Sequence, residues 1–98
     1  LAEYRINYEQ VMGQVRKIKE LSRSLYIQTV QLENIQHSVE SGWESPASII
    51  FLNRLKGSID SMKKTKKDMD DLARKIEKLA TDIKKADERQ SEIAVKLS

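Results

Sequence analysis

The chain has no cysteine, one proline, three glycines and a single histidine, and only 5% of its residues are aromatic. Without cysteine there are no disulfides and no thiolate chemistry, a composition that permits either side of a membrane. His37 stands alone, so a metal site would need carboxylates gathered from elsewhere, and nothing in their spacing provides them. No glycine-rich phosphate loop is present, and the carboxylates are balanced by neighbouring Lys and Arg rather than isolated in an apolar setting that would tune them for acid–base work. No catalytic residue, cofactor site or metal site is expected, and the composition argues against an enzyme. No apolar run approaches the ~18 residues of a membrane span, and no basic-then-apolar leader is visible. The expectation is a soluble chain without membrane insertion, whose export would bypass a cleavable signal peptide. The chain opens on Leu1 rather than Met, and a few further residues are expected ahead of it.

What is present is charge, 34% of the chain, with a mean hydropathy of −0.60, the profile of a long-helix or coiled-coil protein. At 98 residues it makes one small domain. The net charge of +3 is unevenly placed: residues 1–42 hold five Lys+Arg and five Asp+Glu, whereas residues 43–98 hold thirteen and ten. The densest stretch is Met62-Lys63-Lys64-Thr65-Lys66-Lys67-Asp68. Clustered lysines can bind phosphate by releasing counterions. Here, however, Asp68, Asp70 and Asp71 follow four residues after Lys64, Lys66 and Lys67, as neighbours on a solvated helical face do. No interleaving of Arg with aromatics accompanies them, so nucleic acid is not an expected partner.

The only Pro, the only Trp and one of the glycines fall together in Ser41-Gly42-Trp43-Glu44-Ser45-Pro46, between two segments that read as unbroken amphipathic helix. In the first segment Tyr4, Val11, Ile18, Leu25, Leu32 and Val39 recur every seven residues, the seam of a helix that supercoils against a partner. Leu21 and Ile35 are assigned to a partial second seam row, whose other positions are Asn7, Gln14 and Gln28. Tyr8, Met12, Val15, Tyr26 and Val30 widen the band beyond the ~100° that one packing partner needs, so a second partner is expected. Gly13 costs roughly 1 kcal/mol relative to Ala unless a neighbour packs closely there. In the second segment Leu55, Met62, Met69, Ile76 and Ile83 repeat every seven residues, with Leu52, Ile59, Leu72, Ala73, Leu79 and Ala80 between them.

The expected architecture is all-α: a helix over about residues 3–40, a turn over 41–45 and a helix over about 46–97, forming an antiparallel hairpin. Two such hairpins would pair into a four-helix bundle. Gly42 is expected to close the first helix in the left-handed conformation. Ser45 should cap the second, with Pro46 at its first position. Trp43 is expected to plug the corner by aromatic burial. Equal helical rise from a turn centred near residue 43 would set Tyr4 level with Asp82, leaving the segment after about residue 86 overhanging.

A long helix, a tight turn holding Trp43 and a second long helix together resemble the Trp-Xaa-Gly (WXG) superfamily of small proteins exported by type VII secretion systems. The resemblance extends along nearly the whole chain. Ser45 stands where the family has its glycine, so the turn reads Trp43-Glu44-Ser45, as in a divergent branch. The resemblance implies a small secreted protein, or an export partner of a larger toxin, cytoplasmic before export and served by a membrane ATPase. It also implies an export signal, an aromatic or apolar residue followed four positions later by an acid, which Ile83 and Asp87 match; on a helix the two share a face. A homodimer is expected ahead of a heterodimer with a related hairpin. The alternative is an intracellular coiled-coil scaffold or adaptor.

Overall fold

The computed structural model describes the backbone of residues 2–97 and the side chains of residues 7–97, so Tyr4 of the first seam lies outside the described side chains. Two helices account for the fold: α1, Ala2–Gly42, and α2, Pro46–Leu97. The described residues contain no strand, and the helices pack on one another as a hairpin.

The stop signal differs from the glycine closure expected of Gly42. No glycine among the described residues has positive φ. α1 runs through Gly42 in ordinary helical geometry, and the Trp43 amide still donates to the Val39 carbonyl at 3.0 Å. The reversal depends instead on how α2 begins. Ser45 Oγ accepts the Ser48 amide at 3.2 Å, while Ser48 Oγ accepts the Ser45 amide at 3.1 Å and donates to the Ser45 carbonyl at 2.7 Å. This is a reciprocal capping box in which a buried serine at 48 does the work more often given to Glu or Gln. Pro46 occupies the first helical position, where its missing N–H costs nothing.

The chain divides into two compact units. In the turn unit, Glu20–Met69, the interhelical seam takes Ser22, Leu25, Thr29, Leu32, Gln36 and Val39 from α1. From α2 it takes Ser48, Leu52, Leu55, Ile59 and Met62. Steps of three and four alternate along both helices, as in a coiled coil. Ile59 is buried, and Ser22 and Thr29 are buried with it; the Thr29 hydroxyl donates to the Leu25 carbonyl at 2.7 Å. The terminal unit joins α1 through Lys19 to α2 from Asp70 onward. Its seam takes Tyr8, Val11, Val15 and Ile18 from α1, and Ala73, Ile76 and Ala80 from α2, with Val15 and Ala73 buried.

Two expectations are corrected here. The second row on α1 is Val15, Ser22, Thr29 and Gln36, one residue later than assigned, while Leu21 and Ile35 are 61% and 46% exposed. On α2, likewise, Ala73 and Ala80 face inward, whereas Leu72, Leu79 and Ile83 are about half exposed or more. The physical reason is separation. Interaxial distance depends on the side chains at the contact, and the inward row mixes the small Ser22, Thr29 and Ala73 with the larger Val15 and Ile59, all buried. The pairing register also runs deeper than equal rise from residue 43 gave: Lys19 meets Glu77, and Lys84 lies over the Tyr8 ring. The first turns of α2 form the corner, and beyond them Lys56 pairs with Glu40 of α1. Asp87, Glu88, Ser91 and Glu92 share a groove with Asn7, Tyr8 and Val11 of α1.

Candidate functional site

The seam has two flanks, and their chemistry differs. One flank is reached by stepping four residues on from the seam row that holds Val15, Ser22, Thr29 and Gln36 on α1, and Leu52 and Ile59 on α2. In the turn unit this sets Glu33 against Lys63 at 3.3 Å and Glu40 against Lys56 at 3.9 Å. Gln36 Nε2 steadies Glu40 from the same helix at 3.0 Å. In the terminal unit Lys19 reaches Glu77 at 2.9 Å, and the Lys84 ammonium stands 4.5 Å from the Tyr8 ring centre, a cation–π contact. The acid is on α1 and the base on α2 in the turn unit; in the terminal unit the order is reversed.

The other flank lies three residues on from the remaining seam row. In the turn unit it consists of Leu21, Gln28 and Ile35 on α1 with Phe51, Ser58 and Thr65 on α2. In the terminal unit it consists of Gln14 on α1 with Leu72, Leu79, Ala86 and Ile93 on α2. No residue of this flank carries a charge, and all are exposed. Its larger members, Leu72 at 50% and Leu79 at 62%, are apolar side chains left in water.

At the corner, Trp43 does not plug the bundle end as expected. It is 48% exposed, with its ring tilted against Phe51 at 6.1 Å between centroids. The indole stays at the surface of the corner, where Ile49 and Ile50 are also exposed. A shallow hollow of about 430 Å³ beside it is lined by Glu40, Trp43, Glu44, Pro46, Ile49 and Leu52 among others.

Ile83 and Asp87, the candidate export pair, both line an open groove of about 860 Å³ in the terminal unit. Tyr8 and Val11 contribute its apolar side, and Glu88 and Glu92 its acidic rim. Ile83 is half exposed while Asp87 is half-buried, so the structure brings the pair together on one accessible surface. The packing residues Val11, Ile18, Leu25, Leu32, Leu55, Met62, Met69 and Ile76 are half-buried in their seams, and Val15 and Ile59 fully so.

Reading the sequence missed Ser48, although Ser45-Pro46-Ala47-Ser48 carries the three-residue capping spacing that would have marked it. It also missed the interhelical pairs, whose signal is that Glu33 and Glu40 repeat at seven, as do Lys56 and Lys63. Away from the seam, Asp71 bonds Arg74 and Lys78 bonds Asp82 at 2.8 Å. That last hydrogen bond holds the Asp82 carboxyl below its ordinary pKa and the Lys78 ammonium above its own. Among the described residues no group of three or more His, Cys, Asp or Glu is placed to hold a metal, and no helix is long and apolar enough to cross a membrane.

Compared with family models, curated proteins and solved structures, the chain matches none.

Proposed function

We propose that this chain is a non-enzymatic helical hairpin that pairs with a second hairpin into a four-helix bundle. In this reading it serves a type VII (WXG-type) pathway, as a small secreted protein or as the export partner of a larger effector. The observation that carries the reading is the half-exposed Trp43 at the turn between two long helices, each of which leaves an uncharged row uncovered. Such a molecule offers surfaces to partners. The groove bearing Ile83 and Asp87 supports a docking step: a receptor could cover the isoleucine and pair the carboxylate with a base. The chain is then cytoplasmic before export, leaves without a cleavable signal peptide, and has a membrane ATPase and, in the escort role, a larger toxin as partners. It neither binds nucleic acid nor inserts into the membrane.

An immunoblot of the extracellular fraction of the native host tests this. The wild-type chain is expected outside the cell, and Asp87→Ala is expected to stay inside with its helix content unchanged. Secretion of Asp87→Ala at the wild-type level would remove the role given to Ile83 and Asp87. A wild-type chain confined to the cell would replace export with an intracellular coiled-coil scaffold.

A further inference from the structure

We propose that the groove of the terminal unit is a docking site for a basic amphipathic helix of another protein, built jointly by α1 and α2. The proposal rests on the docking step given above to Ile83 and Asp87, and it names the partner's chemistry and the rest of its footprint. The floor of the groove is apolar: Tyr8 and Val11 come from α1, Ala80 and Ile83 from α2. The α2 wall continues to Glu92, about 18 Å beyond Ala80 at 1.5 Å per residue, or roughly three helical turns. An elongated trough between two helices, with the half-exposed Ile83 in its floor, suits a helix that lays its apolar face downward.

Charge selects the occupant. The whole chain carries a net charge of +3, yet the groove reverses that sign: Glu9, Asp87, Glu88 and Glu92 line it with one base, Lys84. Lys84 lies four residues before Glu88, within reach of it on a helix, but its ammonium stands over the Tyr8 ring instead. Among the described residues Glu9, Glu88 and Glu92 enter no ion pair, in contrast to Glu33, Glu40 and Glu77. Glu88 and Glu92, four residues apart, repel each other along α2. Lysines or arginines flanking the partner's apolar face relieve that repulsion, whereas an acidic helix would add to it. A small cation would meet the carboxylates and leave the apolar floor uncovered.

The test uses the purified full chain and a synthetic peptide of about fourteen residues, leucine along one helical face and lysine along the other, long enough to fill the groove. Titration calorimetry should show saturable binding of one peptide per chain. The same composition scrambled to abolish the apolar face, and spermine, should each bind at least about 10-fold more weakly. Glu88→Lys with Glu92→Lys should weaken the peptide at least about 10-fold, and Ile83→Ser about 5-fold. Glu20→Lys with Asp60→Lys shifts the net charge equally but lies in the turn unit, and should change binding less than about 3-fold.

A thiol reagent gives a reading that needs none of these substitutions. Labelling of Ser91→Cys in this cysteine-free chain should slow at least about 10-fold under saturating peptide, while Lys85→Cys, exposed and outside the groove, keeps its rate. No binding at about 100 μM peptide, or equal losses in the two double variants, overturns the proposal. So does a scrambled peptide or spermine that binds as well, or a Ser91→Cys that peptide fails to protect. Binding with the expected pattern by a chain that never leaves the cell would uphold the groove and count against export alone. Secretion without any binding would overturn the groove and leave export standing.

Discussion

The two flanks of the same interhelical seam differ in how far the chain finishes them. One is closed by the protein itself: acids and bases at matching seven-residue steps reach across, Glu33 to Lys63 and Glu40 to Lys56 in the turn unit, Lys19 to Glu77 in the terminal unit. The other carries Leu21 and Ile35 in the turn unit, and Leu72 and Leu79 in the terminal unit, with no charged residue among them and each about half exposed or more. The difference separates two tasks that amphipathic helices usually combine. Exposed ion pairs contribute little energy, but they penalise wrong registers, so the charged flank fixes how α1 lies on α2. Apolar area contributes most of the free energy, and on this flank Leu21, Ile35, Leu72 and Leu79 leave much of theirs exposed.

The comparison breaks first at the seam between the flanks. Ile59→Ala removes a buried aliphatic group and should cost about 2–5 kcal/mol in urea denaturation at fixed protein concentration. A loss below about 1 kcal/mol would mean that the seam is not the core of the hairpin. The corner is next: Ser45→Ala deletes the acceptor of the Ser48 amide and should cost about 1 kcal/mol. Its signature is faster hydrogen exchange at Ser48, with the terminal unit left protected. A gain is expected at Gly57, where an added Cβ meets nothing within 4 Å and φ is not positive. Gly57→Ala should stabilise by up to about 1 kcal/mol, and a loss would reveal a neighbour packed against that face. On the charged flank Glu33→Gln should cost no more than about 1 kcal/mol, and added salt should shrink the difference from wild type.

The smallest effect concerns pH. Asp82 is depressed by its hydrogen bond to Lys78, so the stability it contributes is present above the unfolded carboxylate pKa and fades as pH falls through the depressed value. Lys78 is raised by the same bond, and its share is lost only as pH rises through that raised value, in strong base. Both groups are exposed to solvent, so acid titrations of Asp82→Asn and wild type should nearly superimpose. A clear separation would place that carboxylate inside an interface.

The all-α hairpin, the positions of both helices and the capped start at Ser45-Pro46 were legible in the sequence, because seven-residue periodicity and turn chemistry are local properties that survive in any context. So was the row running from Val11 through Val39. The row beside it was not. Hydrophobicity favoured Leu21 and Ile35, and the choice between the two neighbouring rows depends on how closely the backbones approach, which involves both helices at once. Trp43 was similarly legible as a turn residue but not as a half-exposed one resting against Phe51, since that depends on how the two helices meet at the corner.

By itself, then, the sequence determined that this chain is two long amphipathic helices joined at one turn, through periods and caps that each helix carries within its own residues. Only the tertiary structure decided which side of each helix is spent inside the hairpin and which is left uncovered. That choice depends on how the side chains of both helices fit at their contact, which neither helix carries alone.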